Sequence, residues 1–312
     1  MYFPYLRGKQ FELIALRELA ALSLLSDKII PIIEPVKQGL KTIATALSIL
    51  YPRNVKIQLI INPQVGELIG KFEEIIYFIK EQDKLGIDNI IPTFLINGDS
   101  DVALLQKIAA REGFNDTGYS LVHMSPVRKI EELSTYTKET NCLYSTIHIN
   151  HVFALRRKFN SISVGILGDY FLKQRVNADY ANEIDESFSS DAFFFQEDGF
   201  SAFSDYQTIG DSWVEGGMLP KAVVIHLTYC EKGQDEIRIR HFVSDTNDDR
   251  LDVAGKFAEA LTKLVQFADQ LRLNSLALDS FRLLHQKGSF PGLGSVKKLS
   301  IMHHIELVQG LI

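Results

Sequence analysis

From the N-terminus to residue 205, eight short apolar runs each end at a polar residue and give way to a helical or turn-like stretch. They span residues 2–6, 29–34, 56–62, 90–97, 119–123, 144–150, 162–169 and 200–205. The runs are continuous rather than alternating, as in Ile-Ile-Pro-Ile-Ile and Ile-Gln-Leu-Ile-Ile, the pattern of strands buried on both faces. Between them, residues 9–25, 40–50, 72–84 and 101–112 carry apolar side chains at helical spacing, with Phe11, Ile14, Leu16, Leu19 and Leu22 in the first. Strands alternating with helices predict a parallel sheet in an α/β fold. Eight units favour closure into a TIM-like (β/α)8 barrel over an open doubly wound sheet.

After the seventh run the rhythm breaks. Residues 170–199 mix charged, aromatic and small side chains without periodicity, over a length unusual for a plain connection. A β-hairpin is expected at residues 223–229 and 236–243, turning at Lys232-Gly233. A polar linker (244–250) and helices at 251–271, 274–286 and 295–309 follow. The organisation expected is a barrel over residues 1–220 with a C-terminal β-hairpin and helical extension over 221–312, packed as one compact unit. Residues 223–229 are more apolar than 200–205 and compete for the eighth barrel position. The earlier run is assigned because a hairpin partner would obstruct closure against the first strand.

Composition narrows the function classes. With 46% hydrophobic and 23% charged residues, the 312-residue chain has the balance of a folded protein with a large core. Its net charge of −6 argues against a surface that grips a phosphate backbone throughout. A local basic cluster, Arg156-Arg157-Lys158, reads either as a solvated helix face or as a phosphate contact. Cys142 and Cys230 stand alone, which disfavours a thiolate zinc site and a disulfide framework. No apolar run approaches the roughly 20 residues needed to span a bilayer, and the N-terminus lacks signal-peptide character. The expectation is a cytoplasmic protein with no membrane association.

A closed barrel would gather Arg7, Lys9, Glu34, Asn62, Asn97, His123, His148, Asn150, Asp169 and Asp205 at the strand ends that carry the chemistry of such folds. Glu34 and Asp169 follow strongly apolar runs, where a charge needs a cation, donors or a metal. With Asp205 they are the candidate catalytic and metal-holding carboxylates, alongside Lys9. Carboxylates with Asn oxygens suit Mg²⁺ or Mn²⁺ rather than zinc, and such an ion polarises a phosphoryl oxygen or activates water. Arg7, Lys173, Asn62, Tyr206 and His148 are the candidate substrate contacts. The competing reading pairs Glu34 with Arg7 or Lys9 as a structural ion pair.

Acid, base and phenol also alternate through Gly168-Asp169-Tyr170, Lys173, Arg175, Asp179-Tyr180, Ser204-Asp205-Tyr206 and Gly210-Asp211, with Trp213 and Gly216-Gly217 beyond. This reads as a lid over a polar site or as a loop network braced by tyrosines. Ser125 before Pro126 is read as a helix cap, Asp99 or Ser100 as another, and Asn150 as the cap of a helix near His151. His226 and His241 could share one face of the hairpin. His303 and His304 diverge on a helix and are read as surface or packing residues. No nucleophile elbow, phosphate-cradling loop or dinucleotide fingerprint is present.

Tyr5-Leu6-Arg7-Gly8-Lys9-Gln10-Phe11-Glu12 with Ala15-Leu16, and Pro31-Ile32-Ile33-Glu34-Pro35, resemble the opening elements of the bacteriophage beta-protein family. Residues 199–210, 223–229, 239–245 and 297–307 are similar to one bacterial branch of it. The resemblance spans nearly the whole chain but brings no chemistry with it. It implies a component of a phage-defence or mobile-element system with a co-encoded protein partner. Two functions are expected in competition: from the acids and bases at the strand exits, a divalent-metal-dependent enzyme on a nucleotide or nucleic acid, and against it a non-catalytic interaction or sensor subunit. Other barrel chemistry, such as a lyase or a glycosidase using paired carboxylates, takes the remainder.

Overall fold

The computed structural model describes residues 1–159, 162–215 and 219–312; the Gly216-Gly217 pair lies outside them. Among these described residues eleven strands form in chain order: β1 Tyr5–Leu6, β2 Ile32–Ile33, β3 Ile57–Ile60, β4 Ile90–Ile96, β5 Tyr119–His123, β6 Cys142–His148, β7 Ser163–Gly168, β8 Asp185–Ser189, β9 Ala202–Asp205, β10 Val224–Tyr229 and β11 Ile237–Val243. Strands β1 to β7 and β9 pair in that order, every pair parallel. Tyr2 bridges in parallel to Ile29 on one side and Phe203 on the other, which joins the first strand to the last. The sheet is a nearly closed (β/α)8 barrel of the TIM type, with β9 as the eighth strand, as the apolar runs predict.

The chain forms two compact units. The first comprises Met1–Leu13, Ala20–Gly168 and Phe194–Asp205 and holds the barrel. The second comprises Ile14–Leu19, Asp169–Phe193 and Tyr206–Ile312. It contains an antiparallel sheet in the order β10-β11-β8 and the helices Val253–Gln270, Leu276–Lys287 and Leu293–Leu311. Among the described residues, no helix is long and apolar enough to cross a membrane.

Side-chain parity sorts the barrel residues into two faces, since successive side chains alternate. The Phe3 and Tyr144 rings lie 5.0 Å apart although their strands are not neighbours, so they meet inside the barrel. Tyr144 is in register with Ser120 and Ser163, Ser120 with Thr93, and Gln58 with Ile32 and Ile91. The interior is thus lined by Tyr5, Ile32, Gln58, Thr93, Ser120 and Thr146, an unusually polar set where such barrels generally carry branched apolar residues. The opposite parity faces outward: the Phe203 ring packs at a tilt against Phe195, and His123 likewise against Phe159.

Local capping departs from expectation in three places. Ser125 caps no helix and donates instead to Asn97 Oδ1, because the following helix starts only at Ile130 with Lys129 before it. Gly98 occupies the cap position of the helix Asp99–Glu112. The Asp101 carboxylate accepts the Asn97 and Gly98 N–H groups, so neither Asp99 nor Ser100 is the cap. At the end of β6, His148 Nδ1 accepts the Asn150 N–H, which makes His148 the cap and Asn150 the capped residue.

Candidate functional site

In the barrel unit, Glu34 follows β2 with the parity of Ile32 and is fully buried. Its Oε2 accepts from the Arg7 guanidinium and, at 2.8 Å, from the Tyr5 hydroxyl; its Oε1 accepts the Gln64 N–H at 2.8 Å. Among the described residues Arg7 is ion-paired with it, and both carboxylate oxygens accept hydrogen bonds. This is the ion-pair arrangement that competed with the catalytic one, realised through Arg7. Lys9 lies at the start of the first helix, where the Glu12 carboxylate accepts the Arg7 N–H at 2.7 Å and reaches the Lys9 N–H at 3.5 Å.

Asp205 shares its parity with Phe203 and so faces away from the interior that holds Glu34. The Tyr2 hydroxyl donates to its Oδ1 at 2.7 Å. The two carboxylates lie on opposite faces of one sheet, which separates a pair expected to converge; a single residue of parity at the strand exit decides it. Asn62 is a brace: its amide bonds the Leu95 N–H and C=O, both at 2.8 Å, and reaches Asp101 Oδ1 at 3.3 Å. His123 faces outward, fully buried, with Nε2 2.8 Å from Ser145 Oγ. Burial drives its pKa down to about 3, so its ring is neutral.

The remaining expected residues, Asp169, Lys173 and Tyr206, belong to the second unit. There Asp169 meets Asp211, whose N–H donates to Asp169 Oδ2 at 3.2 Å. The segment from Tyr206 to Gly210 turns back tightly, with Ile209 and Gly210 N–H groups both reaching Tyr206 O. Gly210 takes φ +74° beside Phe171 and Asp169 Oδ1; a Cβ there would come within 3.3 Å and 3.5 Å of them. Glycine therefore lets the turn carry Asp211 to Asp169. Gln207 is buried at φ +47°, a left-handed conformation uncommon for a side-chain-bearing residue. Burial first, and then the neighbouring Asp211 carboxyl, raise the Asp169 carboxyl to about 6 against the pull of the Asp211 and Phe171 N–H groups. Asp169 Oδ1 is buried without a protein partner. Lys173 Nζ donates to the hydroxyl of Ser212, beside Asp211, at 2.8 Å.

A second polar cluster in the same unit involves residues that the sequence only partly signalled. His226 and His241 are directly opposed on β10 and β11, with Nδ1 atoms 2.8 Å apart. His241 Nε2 lies 2.8 Å from Glu186 Oε1, and the rings of Phe171 and Tyr180 pack against both imidazoles. Glu186 sits on β8, in a segment with no periodic pattern. His303 and His304 are buried packing residues, bonded to Ser275 and Thr228.

Among the described residues, no group of three or more His, Cys, Asp or Glu side chains is arranged to hold a metal ion. Set against known proteins, the chain matches no family model, no curated protein and no solved structure.

Proposed function

We propose that this chain is an enzyme built on a (β/α)8 barrel, in which the Asp169–Asp211 pair transfers a proton during cleavage of a phosphate-containing substrate, a nucleotide or nucleic acid. The observation that carries this reading is the Asp169 carboxyl, raised to about 6 beside a second carboxylate, with one oxygen uncommitted. A carboxyl tuned toward working pH is suited to general base catalysis, since it is ionised near neutrality yet basic enough to take a proton. Asp169 would accept the proton of the attacking water or hydroxyl on its carboxylate. Lys173, in the same loop cluster, would offset negative charge on the substrate.

A divalent ion, Mg²⁺ or Mn²⁺, fits this pair better than the original trio of Glu34, Asp169 and Asp205. Two carboxylates, with waters and substrate oxygens completing the shell, suffice for Mg²⁺. Bound there, the ion would lower the Asp169 pKa, so the rise through about pH 6 is read in the metal-free arm of the test.

The test is a panel of phosphomonoester and phosphodiester substrates with and without Mg²⁺ or Mn²⁺, across pH 5 to 8. Turnover should rise through about pH 6 and disappear in Asp169→Asn. Turnover that survives in Asp169→Asn overturns the proposal.

The second reading, a non-catalytic subunit of a phage-defence complex with a co-encoded protein, is favoured by one observation. Glu34, the most buried of the expected carboxylates, is consumed by Arg7, Tyr5 and Gln64. A stoichiometric partner on purification from the native host, together with inactivity across the panel, would select it.

A further inference from the structure

The barrel unit carries a cleft that the carboxyl pair does not use. Phe153, Arg156, Arg157, Val164, Gly199 and Ser201 line a cavity of about 590 Å³. Val164 and Ser201 lie at the starts of β7 and β9, so the cleft opens at the strand N-terminal ends. Its size is that of small-molecule sites.

The charges in it are uncommitted. Among the described residues, neither Arg156 nor Arg157 has an ion-pair or hydrogen-bond partner, and no carboxylate lines the cavity. Lys158, next in the chain, is paired with Glu131. Adjacent guanidiniums repel one another, and in a chain of net charge −6 acidic partners are plentiful. Arg156 is nevertheless held in place by packing alone, over the Phe200 ring at 4.7 Å. Gly199, at φ +75°, makes room for it: a Cβ there would come within 2.3 Å of Arg156 Nη2. Phe153 lies at the same cleft with 87% of its surface exposed. A planar cation pair beside an open aromatic ring is the combination that takes a phosphate and stacks a base.

We propose that this cleft binds a nucleoside phosphate, with the phosphate on Arg156 and Arg157 and the base against Phe153. The ligand is either a free nucleotide or the 5′-phosphorylated end of a strand. Calorimetric titration at about 50 mM salt, where phosphate contacts are strong, compares ADP, pyrophosphate and a 5′-phosphorylated tetranucleotide.

ADP should bind more tightly than pyrophosphate. Arg157→Gln and Arg156→Gln should each weaken ADP and pyrophosphate about tenfold. Phe153→Ala should weaken ADP about tenfold while leaving pyrophosphate unchanged. A tetranucleotide matching ADP assigns the strand end; one much weaker assigns the free nucleotide. Arg157 and Phe153 are exposed, so their variants keep the wild-type unfolding midpoint. Asp169→Asn should bind ADP as the wild type does, which separates this site from the proposed chemistry. No ADP or tetranucleotide binding at about 1 mM, or unchanged affinity in an Arg156→Gln/Arg157→Gln double variant, overturns the proposal.

Discussion

His226 and His241 face each other across the β10–β11 ladder with their Nδ1 atoms 2.8 Å apart. Glu186 can only accept, so His241 donates through Nε2–H, its Nδ1 accepts, and His226 supplies the proton between the rings. The pair accommodates one extra proton at most, and Lys297 adds a further unfavourable charge toward His226. Burial holds both imidazoles below the usual histidine range, His226 strongly, although Glu186, Asp185 and Glu183 pull His241 the other way. His303, held down by burial to about 4, behaves similarly.

Because these groups bind protons less readily folded than unfolded, the stability they confer is complete above the unfolded value near 6.5 and declines as pH falls below it. Urea unfolding should therefore show a loss of about 4 kcal/mol between pH 7.5 and pH 5 from His303 and His123 alone, the latter lowered by burial to about 3, with His226 and His241 adding to it. His226→Leu should reduce that loss. Stability that stays flat over this interval contradicts the account.

Asp169 gives the opposite sign. Its carboxyl titrates near 4 unfolded and about 6 folded. The folded chain therefore keeps the proton longer, and this stabilising contribution is lost as pH rises through about 6. At pH 7 the ionised group is a liability. Asp169→Asn should raise stability at pH 7 by roughly 1 kcal/mol, less than full burial would give because the half-buried group is partly screened by solvent. The gain should shrink toward pH 4. A variant less stable than wild type at pH 7 would mean that the carboxylate is a structural acceptor rather than a tuned base.

The barrel was legible in the chain because parallel strands buried on both faces must be apolar throughout, a signal that survives without knowledge of their partners. β8 was not. Asp185–Ser189 has no apolar rhythm and is held by its ladder to β11 and by Asp185 accepting from Arg238 and Arg240, information that lies on another strand. The candidate site was legible in part. Asp169 stood out as a charge after an apolar strand, and Asp211 lay in the same unusual text, but their meeting depends on the turn at Gly210. Asp205 resembled Glu34 in sequence, and only side-chain parity separates them.

The Arg7–Glu34 pair should behave as structure. Arg7 is nearly buried and Glu34 entirely so, so removing one partner strands a charge. Arg7→Met should cost about 3–5 kcal/mol, and Arg7→Met/Glu34→Gln should recover a large part of it. Denaturant midpoints of the single and double variants measure this. Additive losses would show that the two side chains are not coupled.

The polar barrel interior makes a prediction about water. Gln58 Oε1 and Nε2, Ser120 Oγ and Thr146 Oγ1 are buried with no protein partner, and all face inward from β3, β5 and β6. A buried amide left unsatisfied costs about 1–3 kcal/mol, and interiors of this kind are served by ordered water making several hydrogen bonds. A high-resolution crystal structure should place at least one ordered water within hydrogen-bond distance of Gln58 and of Ser120 or Thr146. Since water rather than protein would satisfy the amide, Gln58→Met should keep the packing volume and raise stability by about 1 kcal/mol. If Gln58→Met instead loses about 2 kcal/mol or more, the side chain is held by fixed protein groups and the wet-interior account fails.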